Sequence, residues 1–259
     1  MTLRLLDLFS GIGGFSLGLE RSGGFQTVAF CEIEPFCRQV LAKHWPEVPC
    51  YDDVRTLTAE RLGADGIAVD AICGGFPCQD ISIAGKGVGI EGKRSVLWSE
   101  YARLIGELQP RYVLVENVAA LLGRGIDRVL GDLAALGLDA EWYCIPASAV
   151  GAPHERDRIW IVAYPHKEQR IEPEYSLRTG WHAVGCSCET LADADGQSSE
   201  WVTKPWGECD HWLTEPDVGR VAHGIPARVD RLRSLGNAVV PQIPEMIGRA
   251  IIASRETAK

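Results

Sequence analysis

The chain has 259 residues, of which 46% are hydrophobic and 24% charged, and this balance predicts a globular protein with one sizeable core and a smaller appendage. The N-terminus shows no secretory pattern and no run is long enough to span a membrane, so we expect a cytoplasmic protein without membrane contact and with reduced cysteines. The formal net charge of −9 argues against a protein that binds nucleic acid over its whole surface. A basic cleft on an otherwise acidic protein is still allowed, because screening keeps charge interactions local.

The first predicted strand covers residues 3–9 and runs into a glycine-rich turn. Gly11, Gly13 and Gly14 lie in this turn, and an amphipathic helix is predicted at residues 15–21. Such a strand, turn and helix often bind a nucleoside or phosphate, because glycines let a ligand approach the backbone. The G-x-G-G spacing differs from the G-x-G-x-x-G of dinucleotide-binding proteins and disfavours a nicotinamide or flavin cofactor. A tight turn without a ligand is the alternative.

Acidic residues follow the next two predicted strands. Glu32 comes directly after the strand at residues 27–31, Pro35 begins a predicted helix, and the acids of residues 52–53 follow about twenty positions later. An acid at the end of the second strand accepts ribose hydroxyls in nucleoside-binding sheets. Each acid by itself could instead cap a helix or face solvent. Their succession at strand ends favours a ligand site.

A cysteine follows the next predicted strand, at residues 67–73. Two glycines end this strand, and Pro77 stiffens the turn that presents Cys78. Because ligands of open α/β sheets bind at the carboxyl ends of the strands, Cys78 is a candidate nucleophile, and a buried structural thiol is the alternative. Residues 81–95 contain four glycines and three basic residues, which predicts either a closing loop or a solvated one. A helix is predicted at residues 96–109.

Charged residues accompany the last predicted strands. Glu116 follows the strand at residues 112–115, at the same sheet edge as the cysteine, and burial there would raise its pKa so that it can donate a hydrogen bond. A helix-capping role is the alternative. Arg156 and Arg158 precede the strand at residues 159–163, and their spacing predicts that both point the same way, towards an anion or a carbonyl oxygen.

In chain order, these stretches resemble the successive motifs of the DNA (cytosine-5) methyltransferases of small bacterial or phage type. The matching strings are D-L-F-S-G-I-G-G, the acid pair around Glu32, D-D-V-R, G-G-F-P-C-Q-D-I-S, E-N-V, R-D-R and L-G-N-A-V-V-P-Q. The resemblance spans nearly the whole chain. It implies a Rossmann-like α/β methyltransferase sheet with helices on both faces and a reversed terminal hairpin, S-adenosylmethionine as cofactor, and double-stranded DNA as partner.

The resemblance also implies a set of cofactor contacts. The glycine-rich turn would surround the cofactor, Glu32 would hold its ribose hydroxyls, and Asp53 with Val54 would meet the adenine. Ile33 stands where the family often has an aromatic residue, so it keeps an apolar contact with less stacking. The implied set is Phe9, Gly11, Gly13, Gly14, Glu32, Ile33, Asp53, Val54, Gly75, Pro77, Leu97, Asn237 and Ala238.

The chemistry implied by the resemblance is covalent. Because C5 of cytosine is a poor nucleophile, the Cys78 thiolate would first add to C6, and C5 would then attack the methyl group. Glu116 would bind N3 and the exocyclic amine, Arg158 would hold O2, and Arg156 would support the site. The base would have to flip out of the duplex while the loop at residues 81–95 closes over the gap. The expected DNA contacts are Ser82, Lys86, Arg94, Arg228, Arg231 and Arg233, and a solvated face is the alternative for the last three.

The change of composition after residue 163, taken with the resemblance, implies three parts of the chain. Residues 1–163 form the predicted catalytic and cofactor-binding domain, residues 164–221 a small, irregular target-recognition region, and residues 222–259 a basic segment with a C-terminal motif that returns to the catalytic domain. The middle part has a set of possible zinc ligands whose spacing fits no common site, so we expect no metal. They are His182, Cys186, Cys188, Cys209 and His211. His154 stands where the family that the chain resembles more usually has glutamine, and the role of His154 stays open.

Three other functions compete with DNA methylation. They are a tRNA cytosine-5 methyltransferase of the same fold, a non-catalytic DNA-binding homologue, and a nucleotide-dependent oxidoreductase. The joint presence of Cys78, Glu116 and Arg158 disfavours the second, and the glycine spacing disfavours the third. We expect a monomer. The sequence leaves open the DNA target and whether a cognate restriction endonuclease accompanies the chain.

Overall fold

The computed structural model describes residues 2–77, 96–166 and 228–257. The described residues contain a seven-stranded sheet with strand order β3-β2-β1-β4-β5-β7-β6. The strands are β1 (Leu3–Leu8), β2 (Phe25–Cys31), β3 (Cys50–Tyr51), β4 (Ala71–Gly74), β5 (Tyr112–Val118), β6 (Leu138–Ile145) and β7 (Arg158–Pro165). Strand β7 pairs antiparallel with both β5 and β6, whereas β3, β2, β1, β4 and β5 are joined by parallel pairs. This sheet confirms the predicted Rossmann-like fold with its reversed terminal hairpin.

Helices cover both faces of this sheet. They are α1 (Gly14–Arg21), α2 (Pro35–His44), α3 (Ala59–Ala64), α4 (Val96–Leu108), α5 (Leu121–Arg124), α6 (Ile126–Ala135), α7 (Arg228–Asn237) and α8 (Gln242–Thr257), with a 3-10 helix at Ala147–Val150. Pro35 begins α2 as predicted, because proline lacks the N–H that a first helical residue leaves unpaired. Within the described part of the chain, no helix is long and apolar enough to cross a membrane.

Two apolar clusters form the core, one on each face of the sheet. Alternate residues of β1 divide between them, with Leu5 in one cluster and Leu6 and Leu8 in the other. The cluster of Leu6 and Leu8 also contains apolar side chains of α3, α4 and α6, and the cluster of Leu5 contains those of α1 and α8. The central strands are therefore buried on both faces, and in such sheets ligands bind at the carboxyl ends of the strands.

The predicted strand at residues 67–73 is wrong in its first half, because β4 begins only at Ala71. Asp70 instead holds the start of β4 against β1, with its Oδ2 2.7 Å from Nε of Arg4. Ile67 and Val69 pack against the core outside the sheet. The apolar run at residues 67–69 therefore predicted burial correctly, but it did not predict where the strand begins.

Strand β5 is longer than predicted and includes Glu116, which was expected after its end. Pairing with β7 explains the extension, since the ladder continues as far as Val118 opposite Arg158. The glutamate side chain is consequently held by a sheet backbone and not by a loop. A side chain on a strand is positioned more precisely than one on a loop.

Candidate active site

The turn after β1 has the open backbone that a ligand needs. Phe9, Gly11 and Gly13 all have positive φ, at 54°, 53° and 83°. A Cβ on Gly13 would lie 2.6 Å from the ring of Trp45, so packing also requires glycine there. A Cβ on Gly11 would meet nothing within 4 Å. Gly11 therefore borders free space at the carboxyl end of β1.

Glu32 lies at the end of β2 and is held beside this turn. Its Oε2 accepts a hydrogen bond from the Gly11 N–H at 2.7 Å, and its Oε1 accepts one from the Glu34 N–H at 2.8 Å. Each carboxylate oxygen has a further lone pair, so the buried group can still accept hydroxyl donors. The next residue, Ile33, is 61% exposed, an unusual position for a large apolar side chain at a strand end. An acceptor next to an apolar surface suits a ribose joined to a purine.

The third strand end carries Asp53 and Val54. The Asp53 carboxylate binds the Arg55 guanidinium, with Nη2 and Oδ2 2.6 Å apart, and this hydrogen bonding lowers the pKa of Asp53. The Val54 side chain is buried in the core, so only its backbone can face a ligand. Leu97 of α4 is partly buried and packs against the same core cluster.

Glu116 and Arg158 form an ion pair at the carboxyl end of β5, with Oε1 2.9 Å from Nε. Burial raises the pKa of Glu116, and the nearby charges of Arg158 and Arg156 oppose that shift. The predicted direction is therefore confirmed. A partly buried carboxyl group with a raised pKa can hold the proton that it needs to donate a hydrogen bond.

The G-G-F-P turn passes directly beside this ion pair. A Cβ on Gly75 would lie 2.6 Å from Oε2 of Glu116. The buried Asn117 donates a hydrogen bond from Nδ2 to the Phe76 carbonyl at 3.1 Å, and the Phe76 ring packs on Trp98. The turn is thus anchored up to Pro77, which directly precedes Cys78. Cys78, Ser82, Lys86 and Arg94 lie outside the described residues.

The two arginines of the R-D-R motif have different hydrogen-bond partners, although both lie close enough to Glu116 for their charges to oppose the rise in its pKa. That both side chains point the same way stays a prediction. Arg158 begins β7 and pairs with Glu116, whereas Arg156 precedes the strand and has a φ of 40°. The side-chain alternation of a strand does not extend to a residue outside it. Arg156 donates from Nη1 to the Gly236 carbonyl at 2.5 Å. This hydrogen bond links the segment before β7 to the C-terminal segment.

That C-terminal segment lies against the glycine-rich turn. A Cβ on Gly14 would be 2.6 Å from the Val239 carbonyl oxygen, and one on Gly18 would overlap the Pro241 carbonyl. Asn237 ends α7 and is exposed, and the Ala238 N–H donates to the Leu235 carbonyl at 3.3 Å. The structure therefore brings residues 239–241 next to α1. The side chains of Arg228, Arg231 and Arg233 on α7 lie outside the described part.

A family model described as C-5 cytosine-specific DNA methylase matches residues 3–185, which is more than half of the chain. The chain belongs to this family. One similar methylase is the type II methyltransferase M2.BsuMI of Bacillus subtilis (strain 168), which is 34% identical over 169 residues covering 62% of this chain and 42% of the relative. The chain spans about half the length of the curated relatives that it matches.

Solved structures share the methylase fold. A putative DNA modification methyltransferase from an E. coli prophage is 25% identical, with a TM-score of 0.53, and the match covers 77% of this chain and 59% of that one. Spodoptera frugiperda DNMT2 is 23% identical, with a TM-score of 0.54, covering 65% of this chain and 51% of that one. At that identity the second likeness shows the fold alone.

Asp7 was not predicted as a site residue, although it begins the first matching string, D-L-F-S-G-I-G-G. Asp7 is buried, and its Oδ2 accepts a hydrogen bond from the Ser16 hydroxyl at 2.7 Å. Burial raises the pKa of Asp7 to about 7, and hydrogen bonds from Ser16 and Cys73 oppose that shift. The signal that could have found it is an acid within an otherwise apolar strand.

Two further residues that hold the candidate site were not predicted from the sequence. Asn117 anchors the G-G-F-P turn, and Arg103 on α4 contacts the loop of Asp53 and Val54. Asn117 is recognisable as a polar residue in a buried strand, but an arginine on an amphipathic helix is not distinctive. In the part of the chain that the structure describes, no cluster of His, Cys, Asp or Glu could hold a metal. The possible zinc ligands at residues 182–211 lie outside that part.

Proposed function

We propose that this chain is a sequence-specific DNA cytosine-5 methyltransferase, which transfers a methyl group from S-adenosylmethionine to C5 of a flipped-out cytosine through a covalent adduct with Cys78. The observation that carries the proposal is the partly buried ion pair of Glu116 and Arg158 beside the turn that leads into Cys78. A carboxyl group and a guanidinium at one strand end match the polar edge of a cytosine, which offers N3, O2 and an exocyclic amine.

The residues of the ion pair would activate the base together. A protonated Glu116 donates to N3 and accepts from the exocyclic amine, and its raised pKa favours this form. Arg158 donates to O2 and stabilises negative charge on the ring as the Cys78 thiolate adds to C6. C5 would then take the methyl group, whose bond to the cofactor's sulfur breaks to leave S-adenosylhomocysteine. The proton at C5 would pass to solvent, and elimination would break the bond between C6 and the Cys78 sulfur. Arg156 supports the site through its bond to the Gly236 carbonyl.

The turns at β1 and β2 fit S-adenosylmethionine, which supplies the methyl group when bound. Glu32 would hold the ribose hydroxyls, because its carboxylate is fixed by two backbone donors and retains free lone pairs. The free space at Gly11 allows the cofactor to approach the backbone, and the exposed Ile33 offers an apolar contact for the adenine. Asp53 would accept from the amine of the adenine.

Double-stranded DNA is the proposed partner of this site. Residues 164–221 would carry target recognition, and Ser82, Lys86, Arg94 and the α7 arginines would contact the phosphate backbone. Because the curated relatives are named type II methyltransferases, we include a cognate restriction endonuclease in the proposed system. We further propose that the enzyme acts in the cytoplasm as a monomer.

A trapping experiment tests the covalent step. The purified chain is incubated with S-adenosylmethionine and a mixed-sequence duplex in which 5-fluorocytosine replaces cytosine. Because fluorine cannot leave C5 as a cation, elimination of the cysteine stalls and the protein stays attached to its DNA. We expect a complex that survives denaturing electrophoresis with the wild type and none with Cys78→Ala.

Cys144→Ala is the matched control, since Cys144 is an exposed thiol on β6, and it should trap as the wild type does. Equal trapping by Cys78→Ala would refute the assignment of the nucleophile. Trapping on fluorinated tRNA but not on DNA would favour the RNA enzyme. A folded wild type that binds the cofactor but traps on neither substrate would favour the non-catalytic homologue.

A further inference from the structure

Arg103 reaches from helix α4 to the loop that follows β3. Its Nη2 donates to two carbonyl oxygens of that loop, at 3.0 Å to Val54 and 2.9 Å to Leu57. Neither carbonyl belongs to the helix that carries the arginine. The guanidinium therefore joins the backbone of the loop to α4. This contact does not involve the side chains of the loop.

The guanidinium is itself fixed by two acids of α4. Its Nε lies 2.8 Å from Oε2 of Glu100, and its Nη1 lies 2.6 Å from Oε1 of Glu107. The second oxygen of Glu107 accepts from the Ala59 N–H at 3.0 Å, at the start of α3. Helix α4 thus holds the loop at Val54, at Leu57 and at Ala59. The planar fork of arginine can serve these acceptors at once, whereas the point charge of lysine cannot.

One peptide group links Arg103 to Asp53. The carbonyl of Val54 accepts from Arg103, and the N–H of the same peptide, that of Arg55, donates to Oδ1 of Asp53 at 2.9 Å. Fixing the carbonyl fixes the peptide plane, because the peptide bond is rigid. The direction of that N–H, which supports Oδ1 of Asp53, is therefore set from α4. The Arg55 guanidinium adds contacts to both oxygens, from Nε at 2.9 and 3.0 Å and from Nη2 to Oδ2 at 2.6 Å.

We propose that Arg103 is a positioning residue for adenine recognition: through the peptide between Val54 and Arg55 it aims the Asp53 carboxylate at the exocyclic amine of the cofactor's adenine. This inference rests on the proposed function, since Asp53 is the adenine contact in that proposal. In this role Arg103 would act through the loop and would not itself bind the cofactor.

The test compares two nucleosides that differ at the group Asp53 would recognise. S-adenosylhomocysteine carries the exocyclic amine, and S-inosylhomocysteine carries a carbonyl oxygen in its place. Binding of each to the full chain is measured by calorimetry. We expect the wild type to prefer the adenine compound and Arg103→Met to reduce that preference by about tenfold, the size of one hydrogen bond to a charged group.

The ratio of the two affinities separates positioning from stability, because a smaller folded fraction lowers both affinities equally. Arg249→Met is the matched control, since Arg249 also forms a helical ion pair, with Glu245 at 2.6 Å, and should leave the ratio unchanged. Arg103→Lys serves if the Met variant does not fold. It keeps the charge between Glu100 and Glu107 but not the paired carbonyl contacts, so it should also lose the preference.

A wild-type preference that persists in folded Arg103 variants would overturn the inference. Equal binding of both compounds by the wild type would overturn it as well, while leaving the cofactor site standing. A folded wild type that binds neither compound would overturn the proposed function, and this inference with it.

Discussion

Gly75→Ala should separate catalysis from stability at the active site. The new Cβ would lie 2.6 Å from Oε2 of Glu116 and 3.6 Å from the Glu116 carbonyl oxygen. The second distance is an ordinary contact, but the first is not, so the carboxylate must retreat by roughly 1 Å to reach van der Waals separation. The methyl group therefore displaces the group that the proposed mechanism places on the cytosine.

The expected cost to folding is small, because the displaced atom is the far end of a side chain. Moving the Glu116 carboxylate off its preferred rotamer costs about 0.5–1.5 kcal/mol. The expected cost to the reaction is much larger, since a misplacement of about 1 Å at a reacting site lowers a rate on the order of 100-fold. The ion pair with Arg158 adds to this loss, because the 2.9 Å contact cannot be kept after the shift.

The assay measures kcat by tritium transfer from labelled S-adenosylmethionine to unmethylated mixed-sequence DNA, with stability followed by thermal unfolding. Gly131→Ala in α6 is the matched control, because a Cβ there meets nothing within 4 Å. It should leave kcat unchanged and stabilise the fold by up to about 1 kcal/mol, since alanine favours a helix over glycine. A folded Gly75→Ala variant with the wild-type kcat would show that the position of the Glu116 carboxylate does not limit the reaction.

Two further predictions concern buried acids. The pKa of Asp7 is raised from 3.8 to about 7, so the stability that its protonated form contributes is complete below about pH 4 and is lost as the pH rises through 7. Urea unfolding should therefore show that wild type loses about 2–3 kcal/mol more than Asp7→Asn between pH 5 and pH 7.5, and parallel pH profiles would contradict this. Glu32→Ala should weaken S-adenosylmethionine binding about 10- to 150-fold by calorimetry, because it removes a charged acceptor of the ribose and of the Gly11 N–H, whereas Glu47→Ala, at an exposed site, should not. An unchanged affinity in Glu32→Ala would exclude that residue from the cofactor site.

Local signals in the sequence were enough for most of the sheet and for the order of the site's turns. Pro35 marked the start of α2, and the apolar runs marked β1, β2, β5 and β7 to within a few residues. These features depend on neighbouring residues, through the fixed φ of proline and the period of a strand. The raised pKa of Glu116 was also predictable, because an acid at the end of an apolar strand is desolvated by its own chain neighbours.

Only the tertiary structure decided how the site is held. Arg103 contacts a carbonyl 49 residues away, Arg156 one 80 residues away, and Glu116 lies inside β5 because β7 pairs beyond it. Such contacts join segments that are far apart in the sequence. No hydrophobic periodicity or motif spacing relates these segments, so no local pattern predicts the contacts. Glu32, Glu116 and Arg158 could therefore be named from the sequence as candidate site residues, whereas the hydrogen bonds and close approaches that hold them follow from how the helices pack on the sheet.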